Sequence, residues 1–228
     1  MTTDQQTNRN LPLDLGAILY PGFEMLDLFG PLEMFSLLEP GLVRIHMVAE
    51  RPGPVTAALA ADISSGPKVI ADVGFDDAPP LDIILVPGGF GTLPALESAP
   101  LLKFLAVRAP AATVTASVCT GSALLARAGV LDGHRATSNK QVFALVSSQS
   151  DKVTWVEEAR WVDSGSVITS SGVSAGMDMS LALIQRLFGT EAAREVQSAA
   201  EYNWQEEPDN DPFVSDLNKA MGLVGSAQ

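Results

Sequence analysis

Short apolar runs alternate with stretches of helical periodicity along most of the chain. Residues 13–19, LDLGAIL, are mostly apolar and run into Y-P-G-F, turn chemistry that predicts a buried strand entering a loop. Leu28, Leu32, Phe35 and Leu38 then recur at helical spacing, with Asp27 in front and Pro40-Gly41 behind, so a helix is predicted over 27–38. Residues 43–48 read as a strand, and the Gly/Pro-punctuated stretch 55–75 suits a small hairpin. D-I-I-L-V at 82–86 is a continuous β-branched run stopped by P-G-G-F-G, and a helix is predicted over 99–107. T-V-T-A-S-V at 113–118 repeats this design, followed by Cys119 and the helix-compatible run T-G-S-A-L-L-A-R-A that ends at Gly129. Two strand-like pieces follow in 153–169, then an amphipathic helix from Ser174 to Phe188 and another over 191–202. This alternation predicts an α/β fold whose mostly parallel sheet is covered by helices on both faces, with any site beyond the carboxyl ends of the strands.

No apolar run reaches the roughly 18 residues of a membrane-spanning helix, and no repeat or heptad series is present. One domain is expected from 228 residues, with both ends loosely held: residues 201–213, E-Y-N-W-Q-E-E-P-D-N-D-P-F, are acidic and broken by prolines. A hydrophobic content of 46% excludes disorder over most of the chain. The net charge of −13 would repel phosphate backbones and anionic lipid heads, so neither nucleic acid nor a membrane surface is expected as a partner. One cysteine forms no internal disulfide, and the polar start MTTDQQTNRN lacks the apolar core of a secretory signal; the expectation is a cytoplasmic protein.

Cys119 closes an apolar strand and opens a helix, the arrangement of a nucleophile elbow with cysteine in place of serine. The positive end of the helix dipole would lower the thiol pKa there and favour the reactive thiolate. The competing reading is an inert buried cysteine. In P-G-G-F-G, Gly88 and Gly89 let backbone N–H groups approach a ligand, and with the Thr120 N–H they could form an oxyanion pocket. No G-K-[ST] or G-x-G-x-x-G follows, so phosphate binding is unsupported. Only His46 and His134 are available as imidazoles; the first lies in a predicted strand as a structural residue, the second in an exposed turn. Their separation from each other and from the cysteine gives no zinc-type spacing, and neither a metal nor a cofactor is expected. The remaining acid/base candidates are Glu24 and Asp27, at the same end of a parallel sheet as Cys119. Asp27 fits helix capping and catalysis equally. In S-S-G-V-S-A-G-M-D, Ser174 suits an N-cap, and Gly172, Ala175 and Gly176 are small enough for close backbone approach; this helix entrance is expected beside Cys119.

The runs D-I-I-L-V-P-G-G and A-S-V-C-T-G-S-A-L-L-A-R-A-G-V-L-D-G-H-R-A-T resemble the ThiJ/PfpI superfamily, which implies a flavodoxin-like three-layer sandwich over 13–202, flanked by a flexible segment 1–12 and a C-terminal extension 203–228. Within it, Y-P-G-F-E-M-L-D-L-F-G-P and S-S-G-V-S-A-G-M-D look like the isocyanide hydratase branch. That resemblance implies Cys119 as nucleophile, Asp27 as its carboxylate partner, and Gly89 with Thr120 as backbone donors, while Gly88, Asn139, Gly172, Val173 and Ser174 are candidates for the pocket wall. The chain departs from many relatives at A-T-S-N-K, where Asn139 stands at a usual histidine; asparagine is no general base near neutral pH, which weakens protease, amidase and glyoxalase readings. The expected activity is hydration of a small organic isocyanide to an N-substituted formamide, with Asp27 as general acid and base. The alternatives are a thiol-based redox or small-molecule sensor, or another hydratase or lyase activity of the superfamily. A DNA-binding domain like that of regulator relatives is not expected. A homodimer is implied as well, with Phe29, Met34, Phe35 and Leu37 as surplus apolar surface on the first helix.

Overall fold

The computed structural model describes residues 11–214. The elements run β1 (Leu13–Ile18), α1 (Met25–Ser36), β2 (Val43–Ala49), the antiparallel hairpin β3 (Gly53–Thr56) and β4 (Lys68–Ala71), then β5 (Val73–Gly74) and β6 (Ile83–Val86). After them come α2 (Thr92–Ala95), α3 (Ala99–Arg108), β7 (Val114–Val118), α4 (Gly121–Arg127), β8 (Arg135–Ala136), α5 (Phe143–Ser147) and β9 (Thr154–Trp155). The last are β10 (Trp161–Asp163), β11 (Val167–Ser170), α6 (Ala175–Phe188) and α7 (Thr190–Ala199). Seven strands form one sheet in the order β10-β11-β7-β6-β1-β2-β5, parallel throughout except where β10 pairs antiparallel with β11.

The helices lie on both sides of this sheet, with α1, α6 and α7 packed together and α3 packed against α4. A strand covered on both faces has no polar side, which is why β6 and β7 are buried at every position and read as continuous apolar or small-residue runs. Truncating Ile84 or Leu85 in this layer to alanine would cost about 2–5 kcal/mol. The 153–169 stretch holds three short strands rather than two, because residues 154–155 leave to pair with β8.

The two ends are described only in part. The 1–12 segment falls almost wholly outside the described residues, as does the 203–228 extension beyond residue 214. Residues 203–214, however, are tied to the domain. Trp204 and Asp211 are buried. The Pro208 carbonyl accepts from Arg160 N at 2.7 Å, and Asp211 N donates to the Glu158 carbonyl at 2.9 Å. The acidic composition that suggested a loose tail is matched instead by basic partners, including Arg194, which grips Glu206 through both guanidinium nitrogens and lies over the Trp204 ring. Among the described residues, no helix is long and apolar enough to cross a membrane.

Candidate active site

The turn between β7 and α4 places Cys119 at a φ of +56°, a left-handed conformation that a side-chain-bearing residue adopts only when its surroundings enforce it. Here the enforcement is visible. Cys119 N donates to the Ser170 and Ser171 carbonyls, and its own carbonyl accepts from Ser122 Oγ at 3.1 Å and Ser138 Oγ at 2.9 Å. Cys119 as a whole is 5% exposed.

Asp27 is fully buried. It does not cap α1: the helix begins two residues earlier than the pattern predicts, Glu24 holds the N-cap position in an extended conformation, and Asp27 sits inside the first turn. Its carboxylate Oδ2 accepts from Gly88 N at 3.0 Å, while Oδ1 is buried with no nitrogen or oxygen donor. Burial pushes Asp27 well above the usual carboxylate range, and the charge of Glu24 adds to the shift; the Gly88 amide and the Cys119 thiol oppose it. Burial likewise pushes the Cys119 thiol up, with the Asp27 charge as second cause, against donation from Thr120 N and Asn139. The expected lowering of the thiol pKa by the helix dipole is therefore reversed. The following helix has only seven residues, and the loss of water outweighs its field. The Asp27 charge disfavours the thiolate while the protonated thiol supports the Asp27 carboxylate, so the two groups titrate as a pair.

The surrounding candidates converge on this pair, with altered roles. Asn139 Nδ2 donates to Cys119 Sγ at 3.2 Å, and its amide orientation is set by Gln141 N donating to Oδ1 at 2.8 Å. Gly172 lies against both: a Cβ there would stand 2.4 Å from Asn139 Nδ2 and 2.8 Å from Sγ. Val173 and Ser174, both half-buried, complete the turn into α6. Ser174 holds the N-cap position but makes no capping bond; its hydroxyl accepts from Arg160 Nη2 at 3.4 Å. Gly176, expected beside the thiol, is the second residue of α6 and packs instead on Val118 and Pro31. Gly88 leaves no room for a side chain, since a Cβ would come 2.5 Å from Thr120 N and 2.9 Å from Asp27 Oδ2. Gly89 is not an open oxyanion donor: its N–H already donates to Thr120 Oγ1 at 3.0 Å. Thr120 N points its hydrogen bond at the thiol.

Sequence reasoning missed a buried hydroxyl chain behind this loop. Tyr20 Oη donates to the Pro87 carbonyl at 2.7 Å and meets Thr92 Oγ1 at 3.1 Å, which in turn meets Thr120 Oγ1 at 2.8 Å. The available signal was a tyrosine at the carboxyl end of β1, where sites gather. A cavity of about 470 Å³ adjoins Tyr20 and Gly91, but Cys119 does not line it. His46 is structural, its Nε2 2.7 Å from Asp14 Oδ1. His134 is half-buried rather than exposed, because Nδ1 packs on the Ser164 carbonyl and hydroxyl. Among the described residues, no three His, Cys, Asp or Glu side chains cluster as metal ligands.

Known proteins resemble this chain in sequence and fold. The profile of the DJ-1/PfpI family matches residues 17–186. An isonitrile hydratase of Pseudomonas putida is 35% identical over 84% of this chain and 79% of its own length. The HTH-type transcriptional regulator GbdR of Pseudomonas aeruginosa is 33% identical over 81% of this chain, which spans about half (49%) of the regulator. The crystal structure of a ThiJ/PfpI family protein from Pseudomonas syringae superposes with a TM-score of 0.76 at 29% identity, covering 98% of this chain and 92% of that one. With the profile matched across most of the sheet and the cysteine elbow inside the matched span, the chain belongs to the DJ-1/PfpI family.

Proposed function

We propose that the protein hydrates a small organic isocyanide to an N-substituted formamide, with Cys119 as nucleophile and Asp27 as general acid and base. The observation that carries this reading is the thiol–carboxyl pair itself: both groups are buried, both are pushed upward, and Asp27 Oδ1 lacks any nitrogen or oxygen donor, leaving it available for proton transfer. The likeness to an isonitrile hydratase supports the substrate class.

The pair begins with one shared proton. Sulfur bonds to the terminal isocyanide carbon as that proton passes through Asp27 to the same carbon, giving a thioimidate and an ionised Asp27. Asp27 then takes a proton from water, the hydroxide adds to the thioimidate carbon, and Asp27 delivers its proton to nitrogen. In the last step the hydroxyl proton of the tetrahedral adduct moves to Asp27 and the carbon–sulfur bond breaks. Formamide leaves and the shared proton is restored. No oxyanion forms before water adds, so the commitment of the Gly88 and Gly89 amides to Asp27 and Thr120 does not obstruct the reaction. Amide hydrolysis would need such donors open and an imidazole near the thiol.

Formamide production from a panel of alkyl and aryl isocyanides tests the reading directly; purified protein with an intact thiol that forms none defeats it. The sensor alternative needs a thiolate open to peroxide, which burial and the upward shift of Cys119 disfavour. Rapid peroxide oxidation without turnover, read by mass spectrometry, would favour it instead. The reading includes a homodimer. Met34 and Phe35 are spent in the core, but Leu26 and Phe29 on α1 are 40% and 45% exposed and supply an apolar surface for a second copy. A light-scattering mass near 24.0 kDa at micromolar concentration would count against the dimer.

A further inference from the structure

The turn that carries Asn139 is held by a buried cation that the proposed reaction does not use. Lys140 is 7% exposed. Its Nζ donates to Thr137 Oγ1 at 2.8 Å and to the Ala159 carbonyl at 2.7 Å, tying both ends of the turn to the stretch before β10. The third direction of the ammonium faces Asp211 Oδ2 at 4.0 Å. Asp211 belongs to the segment that follows α7, and that oxygen is buried without a hydrogen-bond partner. The strap carrying it is anchored independently, by Gln205 N and Tyr202 Oη donating to Asp178 Oδ1 and by Arg160 N donating to the Pro208 carbonyl.

The polar side chains of residues 137–139 are committed as well. Ser138 Oγ donates to the Cys119 carbonyl, Thr137 Oγ1 donates to the Ala159 carbonyl, and Asn139 bridges Gln141 N to Cys119 Sγ. We propose that Lys140 is a positioning residue: pinned by Thr137 and Ala159 and neutralised by Asp211 of the C-terminal strap, it holds the turn that aims the Asn139 amide at the thiol. A buried ammonium without a counter-charge is costly, so the strap and the turn support each other. Burial lowers the Lys140 pKa to about 8; Asp211, Glu157 and Glu158 act against that and Arg160 acts with it. The inference adds a support to the thiol site of the proposed hydratase, but its test needs no isocyanide.

The experiment measures the rate of Cys119 alkylation by iodoacetamide against pH in the full chain. An amide that donates to sulfur stabilises the thiolate, so Asn139→Ala should raise the apparent thiol pKa and slow alkylation near neutrality about three- to tenfold, the worth of one hydrogen bond. Lys140→Met should give the same shift, and the double variant no more than either single change, because both remove one interaction. Asp211→Asn should move the profile the same way by less, which keeps the test open if Lys140→Met does not fold. A merely structural lysine would lower the melting temperature and leave the thiol profile in place. Folded Lys140→Met or Asp211→Asn with the wild-type profile, or additive shifts in the double variant, would overturn the proposal. Failure to hydrate isocyanides would leave these outcomes readable.

Discussion

Asp27 and Asp178 are both fully buried among the described residues, and their carboxyl groups are furnished in opposite ways. Asp178 Oδ2 accepts from Arg160 Nε at 2.7 Å and lies 2.6 Å from Nη2, while Oδ1 accepts from Tyr202 Oη at 3.0 Å and Gln205 N at 2.9 Å. Burial pushes its pKa upward, and the Gln205 amide, Arg160 and Tyr202 act against that. Asp27 has one amide donor, a thiol and a neighbouring Glu24, with no cation against it. A carboxylate surrounded by matched donors stores its charge and holds elements together. One left short of donors exchanges a proton cheaply with its neighbour. On the proposed reading, this contrast assigns Asp178 to structure and Asp27 to chemistry.

The largest effects should come from exchanging these roles. Asp27→Asn should reduce hydration by about 10²–10⁴-fold, the usual contribution of general acid–base catalysis, and Cys119→Ala should bring it to background. Circular dichroism should be unchanged in both, and formamide assays read the loss. Asp178→Asn should do the converse. It leaves Arg160 buried beside a neutral amide, so urea unfolding should register a loss of about 3–5 kcal/mol while alkylation of Cys119 in the folded protein keeps its pH profile. Equal damage to turnover and stability in both variants would erase the distinction.

A subtler effect is the pH dependence of stability. Asp27 holds its proton more tightly folded than unfolded, so the folded protein binds more protons above the ordinary carboxylate pKa of 3.8, and stability falls as pH rises through that point toward the raised value. Asp27→Asn lacks this loss. It should match or trail the wild type near pH 4 and exceed it at neutral pH, as equilibrium unfolding across the range would reveal; parallel curves for the two proteins would contradict the upward shift. The smallest expected effect is steric. Gly172→Ala should slow alkylation by a bulky maleimide severalfold more than alkylation by iodoacetamide, because its Cβ would abut Sγ and Asn139. Gly176→Val should lack this size dependence, since its contacts are Val118 and Pro31.

Much of this was legible before the structure because it is local. A strand buried on both faces reads as a run of apolar or small residues, so β6 and β7 announce themselves, and the residue that follows β7 ahead of α4 can be identified as Cys119. Helix faces emerge from Leu28, Leu32 and Phe35 by period alone. The scarcity of imidazoles is likewise a matter of counting: with two histidines, one in a strand and one in a turn, a Cys-His reading loses its base. The tertiary structure decided what those residues are. Asp27 looks like a cap until the loop after β6 brings Gly88 N, 61 positions away, onto its carboxylate. Cys119 looks like a low-pKa thiol until the elements packed over it remove the water on which a thiolate depends. The strap after α7 looks like solvated tail until Arg160, Asp178 and Lys140 are seen beneath it. Periodicity is written within a few turns of chain, whereas ionisation depends on solvent excluded and charges gathered from elements far apart in sequence, and only the packed fold brings them together.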